Sequence, residues 1–194
     1  MLFRSKMMAV CRALAAVAVL FTGTQAVASD GTITVNGTVR AITCTVAAVA
    51  GNTAPTSGTG SLTLTLSSVF YTAIATHGSA TGSTPFTIGV YGCGTTVSAM
   101  SVSFDSASGM NAFGVLTNTG TANSIIAFRI LNSDNATPVT TGTPNETAAT
   151  VNQVTGVGSQ TFYVQYYNSS ASTTVTSGMA GTVVGSVTYT IVYT

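Results

Sequence analysis

The chain has 194 residues, only 5% of them charged, and its formal net charge at pH 7 is +1. Three of the five basic residues, Arg4, Lys6 and Arg12, lie within the first twelve positions. The remaining 182 residues contain two arginines, four carboxylates and no lysine. Because nucleic-acid binding depends on many Lys and Arg contacts to phosphates, this composition excludes a nucleic-acid partner.

The first 28 residues have the features of a secretory signal peptide. A basic start is followed by an apolar stretch from Ala13 to Phe21 that is too short to span a bilayer. Ala26, Val27 and Ala28 then form a small-x-small cleavage site. We place the cleavage after Ala28, and residues 29–194 have the length of a single domain.

Residues 31–40 alternate apolar and polar side chains, the pattern of a strand with one face meant for burial. No turn and no earlier strand precede this segment in the mature chain, so it cannot form a hairpin with one. Its partner strand therefore lies elsewhere, either in the same fold or on another molecule.

Two cysteines remain after the signal peptide, Cys44 and Cys93. In an exported chain, an even pair of cysteines indicates one disulfide bond. A closed loop of about 50 residues would contribute on the order of 4 kcal/mol to stability in the chain-entropy model. The alternative is a pair of free, buried thiols.

The rest of the mature chain is typical of short strands separated by turns. Alternating or β-branched segments occupy residues 61–66, 84–91, 100–104, 125–131, 160–167 and 185–193. Stretches rich in Gly, Ser, Thr, Asn and Pro separate them, at residues 51–60, 76–83, 106–109, 132–147 and 168–178. About seven short strands, long connections and no sustained helical period predict an all-β sandwich of the Greek-key type.

These landmarks together resemble the subunits of chaperone–usher fimbriae of the type 1 kind. The resemblance covers the whole mature chain and includes the alternating segment before Cys44, residues 84–93 around the second cysteine, and residues 162–167. Near the C-terminus, Gly181 is the fourteenth residue from the end and Tyr193 is the penultimate residue, as in that family.

The resemblance implies an incomplete immunoglobulin-like sandwich that lacks its last strand and is completed by donor-strand complementation. Residues 1–28 would be the signal peptide, 29–43 an N-terminal donor-strand extension and 44–194 the pilin domain. The donor residues would be Ile33, Val35, Gly37, Val39 and Ala41. A last strand facing the chaperone and usher would carry Gly181, Val187, Tyr189, Ile191 and Tyr193. An ordinary core strand is the alternative explanation of residues 185–193.

The resemblance also implies a structural role in an adhesive surface fimbria. The extension of one subunit would fill the groove of a neighbouring subunit, with Gly37 at its shallowest point. The partners would be other pilin subunits, a periplasmic chaperone and an outer-membrane usher. The chain would pass through the periplasm to the cell surface.

Residues suited to catalysis are scarce. His77, the only histidine, lies in a polar loop, and there is no paired-carboxylate signal, metal-ligand cluster or phosphate-binding loop. We therefore expect no enzyme, no cofactor, no metal and no small-molecule substrate.

Two other classes of protein fit the alternating strands. A small outer-membrane β-barrel also has such strands after a signal peptide, although the lack of Trp, the expected disulfide and the non-aromatic terminal Thr194 disfavour it. A secreted sugar-binding β-sandwich would be a stable monomer without any chaperone.

Overall fold

The computed structural model describes residues 44–105 and 109–194. The predicted signal peptide and the donor residues between Ile33 and Ala41 lie outside the described residues. The described residues form seven strands, β1 to β7: Thr45–Ala50, Ala80–Tyr91, Ala99–Phe104, Ile126–Leu131, Ala149–Thr150, Gly158–Asn168 and Tyr189–Tyr193. Two short 3-10 turns, Tyr71–Ile74 and Ser177–Met179, are the helical segments in this part of the chain, and no described helix has the length and apolarity needed to cross a bilayer.

The strands form two antiparallel sheets. One has the order β1-β2-β6-β4 and the other the order β5-β3-β7. Neighbours in each sheet are mostly distant in sequence, so long connections cross between the sheets. The prediction of an all-β sandwich with long connections is confirmed.

The core lies between the two sheets and consists of side chains at alternate strand positions. Phe104 on β3 meets Phe162 on β6 edge to face, with ring centroids 5.1 Å apart. The side chains with less than 2% of their surface exposed include Ile88, Val90, Met100, Val102, Phe104 and Phe162. Since these residues come from both sheets, the sheets are held together by one shared apolar layer.

Most predicted strand segments fit the structure, but residues 61–66 and 185–188 are not assigned to strands, and β1, the start of β2 and β5 were not predicted. β1 was missed, because its sequence Thr-Val-Ala-Ala-Val-Ala contains three alanines, which favour strands weakly. β2 begins at Ala80, inside a stretch predicted to be a turn. The register shifts between Thr81 and Thr84, and Gly82 has a φ of +72°. This irregularity lets a glycine-containing segment continue the strand.

The disulfide between Cys44 and Cys93 is confirmed, with a sulfur–sulfur distance of 2.04 Å. It lies next to Thr45 and Tyr91, which are register partners at one end of the β1–β2 pair. The bond therefore ties the start of β1 to the end of β2.

Gln160 is a buried polar link between the sheets. Its side chain on β6 accepts a hydrogen bond from the amide of Val102 on β3 at 2.8 Å and donates one to the carbonyl of Thr147 at 2.9 Å. Gln160→Ala would leave the Val102 amide buried without its partner. We expect the free energy of unfolding to fall by about 1–3 kcal/mol, measured by urea denaturation.

Gln165 on the same strand provides a control. It is 9% exposed, and its side chain makes no hydrogen bond with any other described residue. Gln165→Ala should therefore cost less than Gln160→Ala. Equal losses in the two variants would show that packing, and not the link to Val102, explains the effect.

Candidate functional site

A long apolar groove runs along one side of the sandwich. Its volume is about 1010 Å³. Two extended segments flank it: residues 60–66, here called the first rim, and residues 183–193, the second rim. The floor between the rims consists of core side chains: Val46, Ala48, Phe86, Ile88, Phe104, Leu116, Phe128, Ile130, Val164 and Tyr166. The groove thus reaches the apolar layer between the sheets.

The first rim alternates half-buried and exposed side chains as a strand does, but its backbone is not hydrogen-bonded to the backbone of a neighbouring strand of the described residues. Leu62, Leu64 and Leu66 are half-buried and line the groove, whereas the residues between them are exposed. The structure shows no backbone hydrogen bond between residues 62–66 and any other described residue. The segment is therefore extended as predicted, but no strand of the described residues pairs with it.

The second rim is paired along only one edge. The carbonyl groups of Thr182, Val184 and Thr188 accept backbone hydrogen bonds from Ala122, Thr119 and Asp105, and the last residue of the chain pairs with Ala99. All these residues, in the rim and directly flanking it, have even numbers. Since successive residues of a strand direct their amide and carbonyl groups to opposite edges, those of the odd-numbered residues point toward the groove. The rim therefore presents an open strand edge.

The odd-numbered side chains of the second rim also face the groove. Val183, Val187, Tyr189, Ile191 and Tyr193 are half-buried and line it, together with Gly185. Four of the residues predicted for a last strand thus lie together on one wall. Their contact with a chaperone or usher stays a prediction.

A tyrosine bridges the two rims. The Tyr189 hydroxyl on the second rim donates a hydrogen bond of 2.6 Å to the Gly60 carbonyl on the first. Burial raises the pKa of Tyr189, with a smaller contribution from Tyr193 nearby. The hydroxyl therefore keeps the proton that it donates. This contact joins residues 129 positions apart, and no sequence pattern indicated it.

A second, smaller cavity of about 100 Å³ adjoins the groove at its Val183 end. Tyr166 and Val183 line both spaces. Gly181, the remaining residue predicted for the last strand, lies here. A Cβ at this position would be 2.7 Å from the amide nitrogen of Ala122. The close approach of two backbone segments therefore requires a glycine at the end of the rim.

The C-terminal residue is bound into the sheet. The Thr194 carbonyl accepts hydrogen bonds from the amides of Ser98 and Ala99 at 2.9 and 3.0 Å, and the Ser98 hydroxyl adds a third at 2.9 Å. A deletion of the last two residues would weaken β7 whatever its partners are. Such a deletion cannot separate a chaperone-binding role from an ordinary structural one.

Among the described residues, the carboxylate, histidine and basic side chains form no metal-binding cluster, and none of them lines the groove. The described residues contain no group of three or more His, Cys, Asp and Glu side chains placed to hold a metal. His77 donates through Nδ1 to the carbonyl of Ser170. Arg129, the only Lys or Arg of the described residues, lies over the ring of Tyr167 at 4.0 Å. The groove is therefore suited to binding apolar side chains and a strand backbone.

Comparison with solved structures finds a chain with a related fold. It belongs to the structure of a chaperone–usher pilus, in a study of the uncoiling of the pilus rod. The two chains share 16% sequence identity and superpose with a TM-score of 0.54, over 86% of this chain and 96% of the other. No protein-family model and no curated protein matches the sequence.

The likeness is one of fold. The described domain is an incomplete immunoglobulin-like sandwich, as predicted.

Proposed function

We propose that this protein is a structural subunit of an adhesive surface fimbria and that its subunits polymerise by donor-strand exchange. The N-terminal extension of one subunit, residues 29–43, inserts between the two rims of another. The apolar groove carries this proposal, because residues 62–66 and the open edge of the second rim have no backbone partner strand among the described residues. The related fold of a chaperone–usher pilus chain supports it.

The extension matches the groove in length and pattern. The second rim spans eleven residues, 183–193, and the alternating segment from Gly31 to Arg40 has ten. Ile33, Val35 and Val39 lie on one face of that segment, as strand side chains at alternate positions do. Burial of each side chain is worth about 1.5–3 kcal/mol, and the backbone would complete the hydrogen bonds of both rims.

The inserted strand is expected to run antiparallel to the second rim. That direction places residue 31 near Tyr193 and residue 41 near Val183. The opposite direction would bring the incoming strand out beside Val46, which lines the groove only three residues after the end of the receiving subunit's own extension. The two extensions would then compete for the same space.

The bridge between Tyr189 and Gly60 suggests a role for Gly37, the glycine among the donor residues. The antiparallel register places Gly37 opposite Val187, diagonal to Tyr189, and an aromatic side chain reaches a diagonal neighbour. Where the tyrosine ring crosses from one rim to the other, less depth remains for a side chain above it. We propose that Gly37 lies next to this bridge because a residue without a side chain fits there best.

The open groove also explains the partners that are proposed. Before assembly, an exposed apolar floor and two open strand edges would favour aggregation. A periplasmic chaperone that lends a strand would cover them, and an outer-membrane usher would direct the exchange for the next subunit. The assembled polymer would lie at the cell surface.

Deletion of residues 30–41 tests the proposal, when the chain is expressed with its chaperone and usher. Wild-type polymer should resist unboiled SDS and give a ladder of multimers on a gel, since each link is a complete strand in a sheet. The deletion variant, which keeps the cleavage site, should give no ladder while its chaperone complex still forms. A ladder of normal length from the variant would rule out the extension as the donor. A stable wild-type monomer in the absence of a chaperone would instead favour a secreted sandwich.

A further inference from the structure

The described domain has two ends that a polymer of this kind would bring together. The first, here called the donor end, contains Cys44, Cys93 and the turn of residues 152–157. The amide of Cys93 donates a 3.1 Å hydrogen bond to the carbonyl of Gly156, which fixes the turn beside the disulfide. The extension joins the domain at this end.

The other end, here called the acceptor end, contains the small cavity beside Val183. Val69 and Tyr71 line it, together with Gly181. Gly82, near the start of β2, marks the acceptor end, because a Cβ there would lie 3.3 Å from a side-chain carbon of Val69. Tyr91, the last residue of β2, marks the donor end, because it precedes Cys93 by two residues. The two ends are therefore separated by about 30 Å, the length of nine strand residues.

Each end exposes a large apolar side chain. Phe70, between the cavity-lining Val69 and Tyr71, is 83% exposed at the acceptor end. Val154, in the turn at the donor end, is 95% exposed. Single exposed apolar residues are common on protein surfaces, so exposure alone does not make either residue a contact.

The connection between the extension and the domain is short, so the end that carries Val154 in one subunit would lie close to the end that carries Phe70 in the next. A strand inserted antiparallel to the second rim reaches residue 41 at the Val183 end of the groove. Only Ile42 and Thr43 separate residue 41 from Cys44, and three Cα steps span at most about 11 Å. The donor end of the incoming subunit must therefore lie against the acceptor end of the receiving subunit.

We propose that Phe70 of each subunit packs against the 152–157 turn of the subunit that donates its strand, with Val154 as its main contact. The partner is a second copy of this chain. The contact is heterologous, so it repeats along an open filament without closing into a ring. This inference rests on the proposed function and adds to it an end-to-end contact that restrains the angle between successive subunits.

A pair of cysteines tests the contact in assembled polymer. Phe70→Cys combined with Val154→Cys should allow a short bismaleimide to join successive subunits, and boiling should then leave covalent dimers, trimers and longer species. Phe113→Cys combined with Val154→Cys is the matched control. Phe113 is 73% exposed and precedes Gly114, whose carbonyl accepts a hydrogen bond from Ile130 on β4, the sheet edge that β6 separates from β2. This control should boil to monomer, as should each single variant.

The outcomes separate this contact from the proposed function. If wild-type polymer itself gives no ladder in unboiled SDS, the proposed function fails. If unboiled ladders form but the Phe70 pair boils to monomer, or links no better than the Phe113 pair, the end-to-end contact is wrong and donor-strand exchange stands.

A second measurement avoids added cysteines. Phe70→Ser should raise the rate at which subunits dissociate from the polymer in mild denaturant by about tenfold, since one aromatic contact is lost. Phe113→Ser should leave this rate unchanged. Equal rates for Phe70→Ser and the wild type would also overturn the contact.

Discussion

A second copy of residues 29–43 fused behind Thr194 should raise the free energy of unfolding of the isolated subunit by about 5 kcal/mol or more. The second rim ends at Tyr193, so a hairpin linker of about four residues returns the fused segment along the groove, antiparallel to that rim. Burial of one isoleucine and two valines, at about 1.5–3 kcal/mol each, provides most of the gain. Urea denaturation of the purified monomers measures it.

The control for this fusion changes only the side chains that face the groove. Ile33, Val35 and Val39 of the appended copy are replaced by serine, and the backbone that can pair with the rims is kept. We expect this variant to unfold close to the unfused chain. If the unfused chain already unfolds cooperatively at the same urea concentration as the fusion, the sandwich is complete without a further strand.

The alternation of both rims could be predicted from the sequence, but their pairing could not. Residues 61–66 and 185–188 are extended with their apolar side chains on the groove side, as the pattern indicated. An alternation of apolar and polar residues indicates which face of a strand is buried, but it does not identify the neighbouring strand. The absent neighbour was therefore implied only by the resemblance to a family, and the geometry of the groove required the structure.

Buried polar contacts are the other part that the sequence did not reveal. Asn168 is fully buried, and its side chain donates to the carbonyls of Ala75 and Thr173 at 3.3 and 3.2 Å and accepts from the amide of Ser170 at 3.0 Å. It orders two segments that the composition described only as turn-rich. Asparagine is common in such segments, so nothing in the local sequence distinguishes this one from its exposed neighbours.

Gly37→Leu should abolish polymerisation and leave the subunit folded in complex with its chaperone. A leucine beside the bridge between Tyr189 and Gly60 has no depth to occupy, so the extension cannot lie flat between the rims. We expect the SDS-resistant ladder to fall at least tenfold relative to the wild type, while the yield of the chaperone complex is unchanged. Gel densitometry of unboiled samples measures the first quantity, and co-purification measures the second.

Thr38→Leu is the matched control, because it adds a leucine one position away on the opposite face of the same strand. It should polymerise normally, and a normal ladder from both variants would show that Gly37 faces no constriction. If Gly37→Leu abolishes the ladder, a wild-type copy of residues 29–43 fused behind Thr194 of that variant distinguishes a defect in the donor strand from a defect in the groove. If it stabilises the Gly37→Leu subunit as much as it stabilises the wild type, the groove of that subunit is intact and the defect lies in the donor strand alone. If it does not, the substitution has damaged the domain, and the constriction beside Tyr189 is not the cause.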